Sequence, residues 1–123
     1  MVVERDTSRI LGPLEADVMD VMWAVDEPLT VRTVLDRLNE GRTSHLAYTT
    51  VMTVMARLAD KGILSRRRDG RGYSYQAEIS DPAAIAVANV VRDFGDAAIA
   101  GFVDHARSDP KVLARLQRLL DDA

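Results

Sequence analysis

Cysteine is absent from this 123-residue sequence. That one absence excludes a disulfide scaffold, a thiolate metal site and a cysteine nucleophile together. Histidine occurs only at His45 and His105, and two isolated histidines do not make a metal site. No metal and no cofactor is therefore expected. No apolar run approaches the roughly 20 residues that a membrane span needs, so no membrane insertion is expected. The stretch from Met1 to Ile10 mixes Glu4, Arg5, Asp6 and Arg9 with little apolar content, unlike a secretory signal peptide. A cytoplasmic location is the expectation. The chain also lacks a nucleophile–base pair, a phosphate-binding glycine loop and metal-ligand spacing. Its carboxylates are scattered over helix faces as solubilising charge, so an enzyme is not expected.

What is present is an ordinary globular composition, 47% hydrophobic and 28% charged, long enough for one domain and a small appendage. The net charge of −3 is unevenly spread. Residues 1–40 balance to −5, residues 41–80 to +4 and residues 81–123 to −2. The basic excess lies mostly between Arg57 and Arg71. A charge run is usually a solvated face, and its neighbours decide whether it is more than that.

Gly12-Pro13 opens a first helix, with Leu14, Val18, Val21, Met22 and Val25 at helical spacing. Asp26-Glu27-Pro28 closes it, and Leu29 reads as a short extended residue. Thr30 caps a second helix striped by Val31, Val34, Leu35 and Leu38, which ends at Asn39-Glu40-Gly41. A third helix is expected from about Ser44 to Lys61, stopped by Gly62. At ~100° per residue its apolar side holds Ala47, Val51, Val54, Met55 and Leu58. The opposite side holds Thr49, Thr50, Thr53, Arg57 and Asp60. The period then changes to that of a hairpin. Ile63 to Arg68 form one strand, Asp69-Gly70-Arg71-Gly72 the turn, and Tyr73 to Ile79 the return strand. Alternation sends Arg66 and Arg68 one way and Arg67 the other. Ser80-Asp81-Pro82 marks a boundary. One long helix is expected from there to His105, and Ser108-Asp109-Pro110 starts a last, leucine-rich one. Trp23 and the methionines read as core.

The predicted fold is mainly α with a small β-hairpin. Residues 1–80 form a winged helix-turn-helix DNA-binding domain and residues 81–123 a C-terminal helical dimerisation domain. In such a unit the third helix enters the major groove. A threonine hydroxyl there reaches a phosphate or base edge, and its methyl packs on a thymine methyl. Arg57 bonds guanine or phosphate. Hairpin arginines neutralise the backbone and release counterions, a role open to Arg66, Arg67, Arg68 and Arg71, of which alternation lets only some touch DNA. His45 stands between a phosphate contact and plain surface. His105 reads as a surface residue near a helix end. Tyr73 reads as wing packing. The apolar positions Ile85, Val91, Phe94, Ile99, Phe102, Leu113, Leu116 and Leu120 are assigned to the dimer surface. Gly95 and Gly101 each cost a helix ~1 kcal/mol relative to alanine. Two other readings of these elements are a winged helix turned to protein–protein interaction and a one-component ligand sensor. The first predicts no DNA affinity. The second needs a pocket that the short apolar tail is poorly equipped to line.

The stretch Ala47-Tyr48-Thr49-Thr50-Val51-Met52-Thr53-Val54-Met55-Ala56-Arg57-Leu58-Ala59-Asp60-Lys61-Gly62, followed by Gly70-Arg71-Gly72-Tyr73-Ser74-Tyr75, resembles the BlaI/MecI family of penicillinase repressors. So do Leu11 to Met19, Trp23, Phe94-Gly95 and the final helix. The resemblance implies a homodimer on a palindromic operator, repressing β-lactamase and related antibiotic-resistance genes. It places Thr50, Thr53 and Arg57 on the reading helix and Arg71 in the wing. It also implies release on β-lactam signalling through a membrane-bound sensor protease, with cleavage before a phenylalanine in the dimerisation helix. The matching bond here is Gly101–Phe102, with glycine where staphylococcal members have asparagine. The copper-responsive relatives end in a cysteine-rich metal site, which this chain cannot form.

Overall fold

Pro13 sets the first described helix, and each later element starts or stops at a residue with a comparable physical reason. The computed structural model describes residues 10–122. The residues weighed against a signal peptide, 1–9, lie outside that range. Helix α1 spans Pro13–Trp23. The Gly12 N–H donates to Glu15 Oε1 at 3.2 Å, one half of a capping box whose other half glycine, without a side chain, cannot supply. Strand β1 is Leu29–Thr30 and helix α2 is Val31–Asn39. Thr30 caps α2 by accepting from the Thr33 N–H at 3.2 Å.

Helix α3 spans Tyr48–Asp60, so it begins later than the expected Ser44. The reason is Asn39, whose amide brackets Leu46. Its Nδ2 donates to the Leu46 carbonyl at 3.2 Å, and its Oδ1 accepts from the Leu46 N–H at 2.8 Å. The chain before Ala47 is thereby held out of the helix. Ala47 becomes the N-cap and is exposed rather than part of the apolar side. At its other end α3 closes in a Schellman motif. The Ile63 N–H donates to the Leu58 carbonyl and the Gly62 N–H to the Ala59 carbonyl, both at 3.0 Å, with Gly62 at φ +76°.

Strands β2 (Leu64–Asp69) and β3 (Gly72–Ala77) form the hairpin, and β1 adds to β3 to give the antiparallel order β1-β3-β2. The register pairs Arg66 with Tyr75, Arg67 with Ser74 and Arg68 with Tyr73. In the turn only Gly70 takes a positive φ, +63°. Glycine at the first of two central residues suits the right-handed twist of a hairpin.

The core gathers Val18, Met19, Met22, Leu29, Val34, Val51, Met55, Leu58, Ile63, Leu64 and Tyr75 from every element so far. Trp23 is half-buried, and its Nε1 donates to the Ile79 carbonyl at 2.8 Å, tying α1 to the end of the hairpin. Lys61 Nζ meets Glu15 Oε2 at 3.3 Å, joining α3 to α1.

The remaining helices are α4 (Pro82–Phe94), α5 (Asp96–Ser108) and α6 (Pro110–Asp121). The expected single helix to His105 is broken at Gly95, which adopts φ +58° and ψ −132°. Only glycine takes that conformation readily. Asp81 and Asp109 cap α4 and α6, accepting from the Ala84 and Lys111 N–H groups at 2.9 and 3.0 Å. His105 is exposed in the last turn of α5.

The chain divides into two compact units, 1–86 and 87–123. The division falls beyond Ser80 because Ile85 is fully buried in the core of the first unit. Ile85 was assigned to the dimer surface. It is a core residue instead, with no surface to offer a second chain. In the second unit Ala106 is the only buried apolar residue among those described, while Val87, Val90, Val91, Phe94, Ile99, Phe102, Leu119 and Leu120 are all exposed. No described helix is long and apolar enough to cross a membrane.

Candidate nucleic-acid interface

The residues expected from sequence to read DNA lie on two pieces, the outer face of α3 and the β2–β3 hairpin. Because Val51, Met55 and Leu58 are buried at 0% exposure, the helix period turns Thr49, Thr50, Thr53, Arg57 and Asp60 to solvent, and all five are exposed. Thr53, Arg57 and Asp60 line one groove with Arg66 and Tyr73 of the hairpin, and Met52 and Ala56 complete its helix side. The two expected pieces thus meet in one concavity.

Alternation along β2 sorts the arginines as expected. Arg66 and Arg68 lie on the face of Tyr73, with guanidinium carbons 4.8 and 5.7 Å from its ring centre. Both distances suit cation–π contact. Arg67 makes no such contact with Tyr73 among those described, and lines a shallow pocket with Pro28, Ser65, Arg66, Ser74 and Gln76. Hydrogen bonding to the Tyr75 side chain, opposed by desolvation and reinforced by the charge of Asp60, holds the Arg66 guanidinium above its ordinary range. Arg71 sits exposed in the hairpin turn.

His45 falls in the loop before α3, exposed beside Arg32, Asn39 and Tyr48. Arg32 of α2 stacks over the Tyr48 ring at 5.1 Å. That pair was missed from sequence, because nothing in either helix pattern alone says that they meet. Met52 was also missed. The methionines read as core, and Met19, Met22 and Met55 are buried, but Met52 is 41% exposed. Its position ~100° around the helix from the centre of the apolar stripe was the available signal. Among the described residues no cluster of three His, Asp or Glu side chains could hold a metal ion.

Three helices and a wing, with the third helix presenting a threonine–arginine face beside an arginine hairpin, define a winged helix-turn-helix protein. Residues 11–122 match the penicillinase repressor family, and the chain belongs to that family. Two similar proteins are the transcriptional regulators BlaI of Mycobacterium tuberculosis, strains CDC 1551 / Oshkosh and ATCC 25618 / H37Rv. Each is 51% identical over 65 residues, covering 53% of this chain and 46% of the relative. The match therefore spans about half the length of these curated relatives. The solution structure of the DNA-binding domain of the repressor BlaI is similar with a TM-score of 0.50 and 26% identity, over 58% of this chain and 84% of that one.

Proposed function

We propose that this protein represses transcription by binding a palindromic operator as a homodimer, and that β-lactamase and related genes are among its targets. The observation that carries the reading is the groove in which Thr53 and Arg57 of α3 face Arg66 and Tyr73 of the wing. Base edges in the major groove fall to α3, and the phosphate backbone falls to the wing. Family membership and the named BlaI relatives support it. The exposed apolar faces of the second unit support the dimer.

The test is a set of binding titrations on operator and random DNA. Thr53→Ala and Arg57→Ala should lose discrimination between the two, because a base contact contributes about 1–3 kcal/mol for the correct base only. Arg71→Ala should weaken both about equally and lower the salt slope by about 1. Equal losses in all three variants would show that α3 does not read bases.

Release is assigned to a partner protease acting on β-lactam signalling, and not to direct binding of the drug. The resemblance motivates this, together with the position of Gly101 and Phe102, both exposed within α5. A glycine there weakens the helix by ~1 kcal/mol relative to alanine and eases the local opening that a protease needs. Intact mass measured in induced cells should show a shortened chain. Full-length protein leaving its operator uncut would refute cleavage, and displacement of the purified protein by the drug would refute the partner.

A further inference from the structure

Met52 is out of place by ordinary criteria. It is 41% exposed on a helix whose solvent face, apart from Tyr48 in the first turn, is otherwise threonine, arginine and aspartate, and it belongs to the groove that holds Thr53, Ala56 and Arg57. A thioether donates no hydrogen bond and accepts only weakly, so whatever Met52 meets on a partner it meets through apolar contact. Ala56, one helical turn further on, continues the apolar strip along the groove. On DNA the major groove exposes one apolar group, the 5-methyl of thymine. The methionine side chain is unbranched and adaptable enough to seat such a group.

We infer that Met52 is a specificity-determining residue that reads a thymine 5-methyl group in the operator, with Thr53 and Arg57 beside it supplying the polar contacts. This rests on the DNA-binding reading above and adds a base to it. Position on the helix separates the roles. Met52 and Ala56 lie toward the wing edge of the exposed face and Thr50 toward the other edge. The thymine should therefore sit on the wing side of the base that Thr50 contacts, within the groove that Met52 shares with Arg57.

The experiment selects a high-affinity duplex from random DNA with the full-length wild-type chain. The duplex is then resynthesised with deoxyuridine replacing each thymine in turn, which removes only the methyl group. Wild type should lose three- to tenfold in affinity at one thymine per half-site, as expected for burial of about one methyl group. Met52→Gln should bind the parent duplex more weakly and show no further loss at that position. Met52→Leu should keep the sensitivity, and Thr53→Ala should keep it too. If no thymine-to-uracil change affects wild type, or if Met52→Gln stays as sensitive as wild type, the inference is overturned while the DNA-binding reading stands. If no duplex is enriched at all, the DNA-binding reading fails and the Met52 contact with it.

Discussion

A chain carrying both Phe94→Asp and Leu120→Asp is expected to be monomeric and to bind a full palindrome on the order of 100-fold or more weakly than the parent. Each side chain is 66% exposed in the single chain, so neither change removes a core contact. What they disrupt is an apolar surface that no described residue of the second unit covers. Its described residues bury only Ala106 completely, while Phe94, Ile99, Phe102, Leu119 and Leu120 stay open. Helix α6 is capped at both its sequence and its geometry by Asp109 and Pro110, yet its leucines are half-buried or exposed. A second copy of the same surface, related by a two-fold axis, is the simplest cover for such faces. Two aspartates placed on each side of that interface would have to be desolvated without partners. The loss on DNA follows from effective concentration. In a dimer the second half-site is engaged intramolecularly, which adds a factor of 10²–10⁴ that a monomer forfeits. Sedimentation velocity and titration on full and half palindromes would measure both effects. The half-site affinity should be unchanged, since the winged unit is untouched. A double variant that still sediments as the parent does would move the dimer surface elsewhere.

The parts of this molecule that were legible in the sequence are those set by local chemistry. Gly62 after a polar–apolar helix stopped α3 where the structure stops it, and the turn falls at Asp69 to Gly72 as expected, with Gly70 and Arg71 rather than Asp69 and Gly70 at its centre. The sidedness of Arg66, Arg67 and Arg68 followed from the two-residue period of a strand. What was not legible depends on contacts between distant segments. The start of α3 is decided by the Asn39 amide closing on Leu46, a side-chain bracket that helix periodicity cannot register. Strand β1 is two residues long and exists through its pairing of Leu29 with Tyr75 and Thr30 with Ser74. That pairing also explains why Ser74 is buried although strand alternation would turn it outward. Gly95 was recognised as a weak point in a helix, but its weakness is a complete break, because its backbone occupies a region closed to other residues. Within the interface, the threonine–arginine face could be read from helix period alone. Met52 could not be told from a core methionine by residue type.

Ile85→Ala is expected to destabilise the winged unit by about 2–5 kcal/mol, the range for removing most of a fully buried aliphatic side chain. Against the 5–15 kcal/mol that typically holds a domain together, this is a large share. Ile85 lies in the first turn of α4, where its N–H donates to the Asp81 carbonyl at 3.2 Å and Asp81 Oδ1 accepts from the Ala84 N–H. The turn is therefore fixed, and the side chain is 0% exposed in the same cluster as Val18, Met55 and Ile63. The rigidity of the cap limits how far the cavity can collapse, which places the loss toward the upper part of the range. A dimer-surface role and a core role predict different behaviour when the dimer is removed. If Ile85 acted at the interface, Ile85→Ala would add nothing to a chain already monomeric through Phe94→Asp and Leu120→Asp. If it completes the core, the melting temperature should fall by the same amount in that background as in the parent, at every protein concentration. Thermal unfolding of the parent, the double variant and the triple variant across a hundredfold range of concentration decides between them. The same experiment bears on the boundary at which a shortened chain should be cut. A chain ending at Ser80 would lose Ile85 and unfold for reasons unrelated to dimerisation, whereas one ending at Ala86 would keep the winged core closed.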